Sequence, residues 1–175
     1  TGQNISLEYL SLAELYLQVE MYDEVVDCCA HGIKIEHNEN NLMPLAGLKL
    51  IALYNMGQFA DFDREYLQYE KMMIVNRNID LARGVMAYHE MRLGRTADAQ
   101  LHADSLSDNQ LRYTILCHLY QQLGEGKHAF QVSLKNLEYV FVHSMNLTLS
   151  QKVNELDAAV EQSRLQLERV RLNLE

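Results

Sequence analysis

Residues 7–38, LEYLSLAELYLQVEMYDEVVDCCAHGIKIEHN, have the pattern of two amphipathic helices joined by a short turn. Apolar residues recur in each half at the close intervals that place them on one face of a helix. They are Leu7, Leu10, Ala13, Leu15 and Leu17 in the first half, and Val25, Val26, Cys29 and Ile33 in the second. The stretch therefore predicts a helical hairpin.

The rest of the chain supports the same class of structure. The 175 residues include only one Pro and eight Gly, which are few turn-forming residues for the many turns of a β protein. A hydrophobic content of 48% over this length is enough to bury a sizeable core. We predict an all-α fold.

Four segments of the sequence share one pattern at a turn: YLQVEMYDEVV, LYNMGQFADFD, EMRLGRTADAQ and YQQLGEGKHAF. They align at Glu20, Gly57, Gly94 and Gly124, with spacings of 37, 37 and 30 residues. Periods of this length indicate stacked helix-turn-helix units, each too small to bury its own apolar face. The predicted helix pairs are 6–19 with 22–36, 43–56 with 59–75, 79–93 with 96–105, and 109–123 with 126–142.

The first and fourth units resemble the tetratricopeptide repeat (TPR). The matching residues are Tyr9, Leu12, Ala13, Tyr16, Tyr22, Val25 and Gly32 in the first unit, and Tyr113, Leu116, Cys117, Tyr120, Gly124 and Ala129 in the fourth. The middle units depart from the family, because Lys49 and Arg83 lie at positions where its pattern has apolar residues. The usual Pro after the second helix is missing from all four units. The resemblance covers about residues 6–140 and implies a TPR-like superhelix. An irregular helical bundle is the alternative.

The TPR resemblance also implies a concave groove, lined by the first helix of each unit, that binds a protein or peptide partner. The matching positions are Glu14, Gln18, Tyr54, Asn55, Tyr88, Arg92, His118 and Gln122. We expect Tyr54 and Tyr88 to stack on such a ligand and Arg92 to meet a carboxylate. A solvated groove without a ligand is the alternative.

The C-terminal stretch carries a heptad pattern. Its apolar positions, spaced by four and three residues, are Leu149, Val153, Leu156, Val160, Leu167, Val170 and Leu174, with Ser163 interrupting them. Such a seam predicts a coiled coil, and we expect a homodimer. The predicted domains are a repeat domain over 1–142 and a dimerising helix over 143–175. A helix that folds back to cap the repeats is the alternative.

Helical repeats that run into a heptad helix resemble the sensory region of bacterial signalling proteins. In these proteins the helix leads to a GGDEF-type diguanylate cyclase or to a histidine kinase. The resemblance implies a regulatory, cytoplasmic module whose output domain lies beyond Glu175. A periplasmic sensor region, a freestanding scaffold or adaptor, and the peptide receptor of a transcription regulator are the alternatives.

Charge and motifs argue against several other functions. A net charge of −9 disfavours nucleic acid and anionic membrane surfaces. The three cysteines are odd in number, and Cys28 and Cys29 are adjacent, which predicts reduced thiols. His89 begins a stretch similar to a kinase phosphoacceptor box, but the Thr-Pro that should follow is absent, so we expect an ordinary helix residue. We find no catalytic motif and predict no enzyme activity, cofactor, metal or membrane span within these residues.

Overall fold

A computed structural model describes the backbone of residues 2–172. Side chains are described over 5–161, except those of residues 147, 149, 150, 152, 155, 156 and 159. The described residues form eight α-helices and no strand, which confirms the all-α prediction. The helices are α1 (Gly2–Gln18), α2 (Tyr22–Ile35), α3 (Glu39–Asn55), α4 (Phe59–Val75), α5 (Asp80–Arg92), α6 (Thr96–Asp104), α7 (Asn109–Gln122) and α8 (Gly126–Leu172).

Most helix boundaries lie within a residue or two of their predicted positions, but α1 and α3 begin about one turn earlier. Helix α3 begins at Glu39 because Asn38 caps it, its side-chain oxygen accepting a hydrogen bond of 3.0 Å from the amide of Asn40. The prediction began this helix beside Pro44, which the structure places inside the helix. A capping side chain thus decides the start of α3.

The four residues that align the repeats share one backbone geometry. Glu20 has a φ of 59°, and Gly57, Gly94 and Gly124 each have a φ of 73°. After α3, the amide of Gly57 donates to Tyr54 O and the amide of Gln58 donates to Leu53 O, both at 3.0 Å. This pair of bonds is a Schellman motif, and the same pairing ends α1, α5 and α7.

From α1 to α7, consecutive helices pack against each other, and α1, α3, α5 and α7 also contact one another in succession. Two glycines allow the close approach of these first helices. A Cβ atom on Gly47 would lie 2.8 Å from Leu81 of α5, and one on Gly84 would lie 2.9 Å from Leu111 of α7. Gly is unfavourable in the interior of a helix. The close packing of the two leucines therefore explains why Gly is present at both positions.

The two charged side chains that depart from the repeat pattern, Lys49 and Arg83, both have partners. Lys49 Nζ lies 2.7 Å from Glu65 Oε1 of the paired helix α4, and both side chains are largely buried. Arg83 Nη1 donates to Ser105 O at 2.7 Å, and its Nε donates to Arg77 O at 3.2 Å. These contacts satisfy the charges of Lys49 and Arg83 at the two positions where the repeat pattern predicts apolar residues.

The chain divides into two compact units, residues 1–133 and residues 134–175. Helix α8 contributes to both, and the division falls within it. The predicted boundary after residue 142 stays a prediction. Among the residues described, none of the helices has the length and hydrophobicity needed to cross a membrane.

Candidate functional site

A cavity of about 460 Å³, here called the Tyr54 cavity, lies where α3, α5 and α7 end. Its lining residues are Tyr54, Asn55, Gly57, Phe59, Met91, Arg92, Gly94, His118 and Gln122. Five of them are predicted groove residues: Tyr54, Asn55, Arg92, His118 and Gln122. They come from three successive helix pairs, so the site depends on the stacking of the units.

A second cavity, of about 330 Å³ and here called the Glu14 cavity, shares Asn55 with the first. It is lined by Glu14, Leu17, Gln18, Glu20, Tyr22, Leu48, Ile51, Asn55, Asp80, Leu81, Asp108, Gln110, Leu111 and Thr114. The lining contains four carboxylates and no Lys or Arg. Asp80 and Asp108 were missed by the sequence analysis because they lie at the starts of α5 and α7, outside the first-helix positions that the TPR pattern marks.

Tyr88, a predicted groove residue, is buried in the structure. Its side chain is 0% exposed, and its ring stacks on that of Tyr54 at a centroid distance of 3.9 Å. A ligand on the surface therefore does not reach it in this structure. Helical periodicity places Tyr88 on the inner face of α5, but only the packing of α5 on α3 decides that Tyr54 covers it.

Asn55 holds the base of the Tyr54 cavity through hydrogen bonds to three neighbours. Its Nδ2 donates to Ile51 O at 2.8 Å and to Tyr88 Oη at 3.4 Å, while its Oδ1 lies 2.9 Å from His118 Nε2. Because Oδ1 can only accept, Nε2 of His118 carries the hydrogen. Burial lowers the pKa of His118, so the ring is neutral at pH 7.

Gln122 is fixed in the same way. Its Nε2 donates to Met91 O of α5 at 3.0 Å. The amide side chains of Asn55 and Gln122 therefore tie α3, α5 and α7 together at the cavity wall. Side chains held by such bonds are preorganised, which lowers the entropy cost of binding a ligand.

Arg92, which we expected to meet a carboxylate of a ligand, pairs with a carboxylate of the chain itself. Its Nε and Nη2 donate to Asp63 of α4 at 3.1 and 2.8 Å, and this hydrogen-bonded pairing raises the pKa of Arg92. The guanidinium also lies over the ring of Phe59, with Cζ 4.7 Å from the ring centroid. The sequence analysis missed Asp63 because it lies on a second helix, which the groove pattern does not mark.

The predicted dimer seam lies on α8 and is described only in part. Val153 and Val160 are 55% and 67% exposed. The side chains of Leu149, Leu156, Leu167 and Val170 are outside the described residues, and so is the whole of Leu174. Dimerisation through this seam stays a prediction.

The structure also describes the surroundings of the three cysteines and of His89. Cys28, Cys29 and Cys117 are free thiols, and burial raises the pKa of Cys29 to about 12. The ring of His89 stacks on Tyr66 at a centroid distance of 3.8 Å. Over the part of the chain that the structure describes, no group of three His, Cys, Asp or Glu side chains is placed to hold a metal ion.

No protein-family model, curated protein or solved structure matches this chain. A fold class alone does not specify an activity, so the side chains of the site are the guide to the function of this chain.

Proposed function

We propose that residues 2–133 form a TPR-like module that binds an extended segment of a protein partner. The observation that carries the proposal is the Tyr54 cavity, where five predicted groove residues from three successive helix pairs line one space. Its volume of about 460 Å³ is in the range of ordinary ligand sites. Aromatic walls and fixed amides suit a peptide, because they offer stacking surfaces and hydrogen bonds.

The Glu14 cavity extends this surface towards α1. The two cavities share Asn55 and are therefore neighbours, and we propose that one extended segment occupies both. The carboxylates of Glu14 and Glu20 would favour a partner segment without acidic residues at this end. The groove we propose thus runs from α1 across α3 and α5 to α7.

We further propose that the module regulates a signalling protein. Helix α8 begins in the first compact unit and continues through the second, so a partner bound to the repeats could bias the arrangement of a dimer formed through α8. Regulation of this kind requires the partner to bind one arrangement more tightly than the other. A freestanding adaptor would use the same groove without a dimer, so the oligomeric state and the gene sequence beyond Glu175 distinguish the two.

The peptide-binding proposal is tested by selection from a random peptide display library on this chain, followed by calorimetry with an enriched peptide. Tyr54→Ala should weaken binding about tenfold or more, since buried aromatic residues at the centre of an interface carry much of its energy. Tyr69→Ala is the matched control, because Tyr69 is 8% exposed, Tyr54 is 7% exposed, and Tyr69 lines neither cavity.

Both substitutions remove a buried ring, so circular dichroism should first show that each variant keeps its helical content. Equal affinity of the two variants for the peptide would place the binding site elsewhere. Failure to enrich any peptide would count against the groove itself.

A further inference from the structure

Tyr54 has hydrogen-bonding capacity that the chain does not use. Its side chain is 7% exposed and lines the cavity, yet its hydroxyl makes no hydrogen bond within the described residues. The hydroxyl of Tyr88 beneath it, in contrast, accepts a hydrogen bond from Asn55. Among the described residues, the buried side-chain polar atoms without a partner belong to His89 and Asn136, so the Tyr54 hydroxyl is open to the cavity and available to hydrogen-bond a ligand.

The charges around the cavity are already balanced. Arg92 is the only Lys or Arg among the lining residues, and Asp63 pairs with it through two of its nitrogens. His118 is neutral, and its Nε2 is occupied by Asn55. A carboxylate in the cavity would have to compete with Asp63 for Arg92, and an ammonium group would meet the guanidinium. An uncharged ligand avoids both costs.

The atoms that remain available are two donors and two acceptors. Arg92 Nη1 and the Tyr54 hydroxyl can donate, whereas Gln122 Oε1 and Nδ1 of the neutral His118 can accept. None of these four atoms makes a hydrogen bond in the described part of the chain. The neighbouring rings provide flat walls, with Tyr54 5.1 Å from Phe59 and 5.6 Å from His118 between ring centroids.

We infer that the Tyr54 cavity is a recognition pocket for a carboxamide group, such as the side chain of Asn or Gln, in the bound segment. A carboxamide is planar and uncharged, and it has two N–H donors and an oxygen with two lone pairs, which matches the free atoms of the wall. The inference rests on the proposed peptide-binding function. It replaces the carboxylate that the sequence analysis expected at Arg92.

The inference is tested with three small probes of similar size: propionamide, propionate and propylamine. Each is titrated into the ¹⁵N-labelled chain and followed by amide NMR. Propionamide should shift the resonances of Gly57 and Gly94, which line the cavity, and propionate and propylamine should shift them much less. Gly124 is the internal control, because it has the same turn geometry but lines neither cavity.

Tyr54→Phe removes only the hydroxyl and keeps the ring. It should weaken propionamide binding about 3- to 10-fold, which is the value of one ordinary hydrogen bond. Tyr66→Phe is the matched control, because Tyr66 is 3% exposed and lies outside the cavity; it should leave binding unchanged.

The inference fails if propionate shifts Gly57 and Gly94 as strongly as propionamide does, or if no probe shifts them at tens of millimolar. It also fails if peptides that depend on Tyr54 lack Asn and Gln and bind Tyr54→Phe normally. That last outcome would leave the peptide-binding proposal intact. If propionamide binds but no peptide is enriched, the peptide-binding proposal is contradicted. In that case only the binding of a carboxamide in the cavity is supported.

Discussion

Glu36 shows how a single carboxylate fastens the junction between the first two helix pairs. It follows α2, its side chain accepts a hydrogen bond from Ser6 of α1, and its Oε1 accepts bonds of 2.9 and 2.8 Å from the amides of His37 and Asn38. The hydrogen bond from Ser6, followed by those from the backbone, lowers the pKa of Glu36 from 4.5 to about 2. All these bonds favour the ionised carboxylate.

Because the pKa is lower in the folded chain than in the unfolded chain, Glu36 contributes stability above about pH 4.5, and this contribution is lost as the pH falls towards 2. Glu36→Gln should therefore flatten the dependence of unfolding free energy on pH in this window. Ser6→Ala should flatten it partly, since Ser6 is the largest of the stabilising donors. Urea unfolding between pH 2 and 6 measures both, and an unchanged slope in Glu36→Gln would refute the assignment.

Glu20 is the one residue other than Gly with a positive φ among the described residues. A side chain in this left-handed conformation is strained, whereas Gly is not, although Gly loses more entropy on folding. We expect Glu20→Gly to stabilise the chain by about 0.5–1 kcal/mol. Glu8→Gly, at an exposed position within α1, should instead destabilise it by about 1 kcal/mol. Chemical denaturation measures both, and a loss of stability in Glu20→Gly would contradict the strain argument.

At the scale of the helices, Gly47 and Gly84 are 37 residues apart and occupy equivalent places on α3 and α5. Each accepts a leucine from the next first helix, Leu81 and Leu111 respectively. The repeat period that the turns define is therefore also present in the contacts between the helices. The absence of a side chain at these two glycines allows successive first helices to approach each other closely.

Replacing Gly47 by Ala has two opposing effects on the stability of the chain. Ala favours a helix over Gly by up to about 1 kcal/mol, but its Cβ would lie 2.8 Å from Leu81 Cγ, the branch point of that side chain. We expect the clash to dominate and Gly47→Ala to destabilise the chain by about 1–3 kcal/mol. Gly126→Ala is the control, because a Cβ there meets nothing within 4 Å. A stabilised Gly47→Ala in thermal unfolding would show that α3 and α5 separate easily.

At the scale of the whole molecule, the proposed regulatory role requires a dimer. Val160 lies at a central position of the heptad seam and is 67% exposed in the single chain. Val160→Asp would bury an unpaired charge in a coiled coil, so it should shift a dimer at micromolar concentration towards monomer. Asn154→Asp adds the same charge at an exposed position outside the seam and should leave the dimer intact. A monomeric parent chain in light scattering would end the dimer proposal.

The sequence by itself determined the helical class, the positions of the helix pairs and the four residues that turn the chain. These features are local, because the period of apolar residues and the backbone freedom of glycine act within one or two helical turns. Five of the nine residues that line the Tyr54 cavity are among the predicted groove residues, since the repeat period places equivalent positions of successive first helices side by side.

Only the tertiary structure decided which of these residues a ligand can reach. Tyr88 lies beneath Tyr54, and Arg92 pairs with Asp63, which is 29 residues away on the neighbouring pair of helices. Asp80 and Asp108 enter the Glu14 cavity from the starts of two other helices. The reason is that exposure and ion pairing depend on how side chains from separate helices pack. The helical period fixes the face of the helix on which a residue lies, but it does not fix which residue of another helix packs against it.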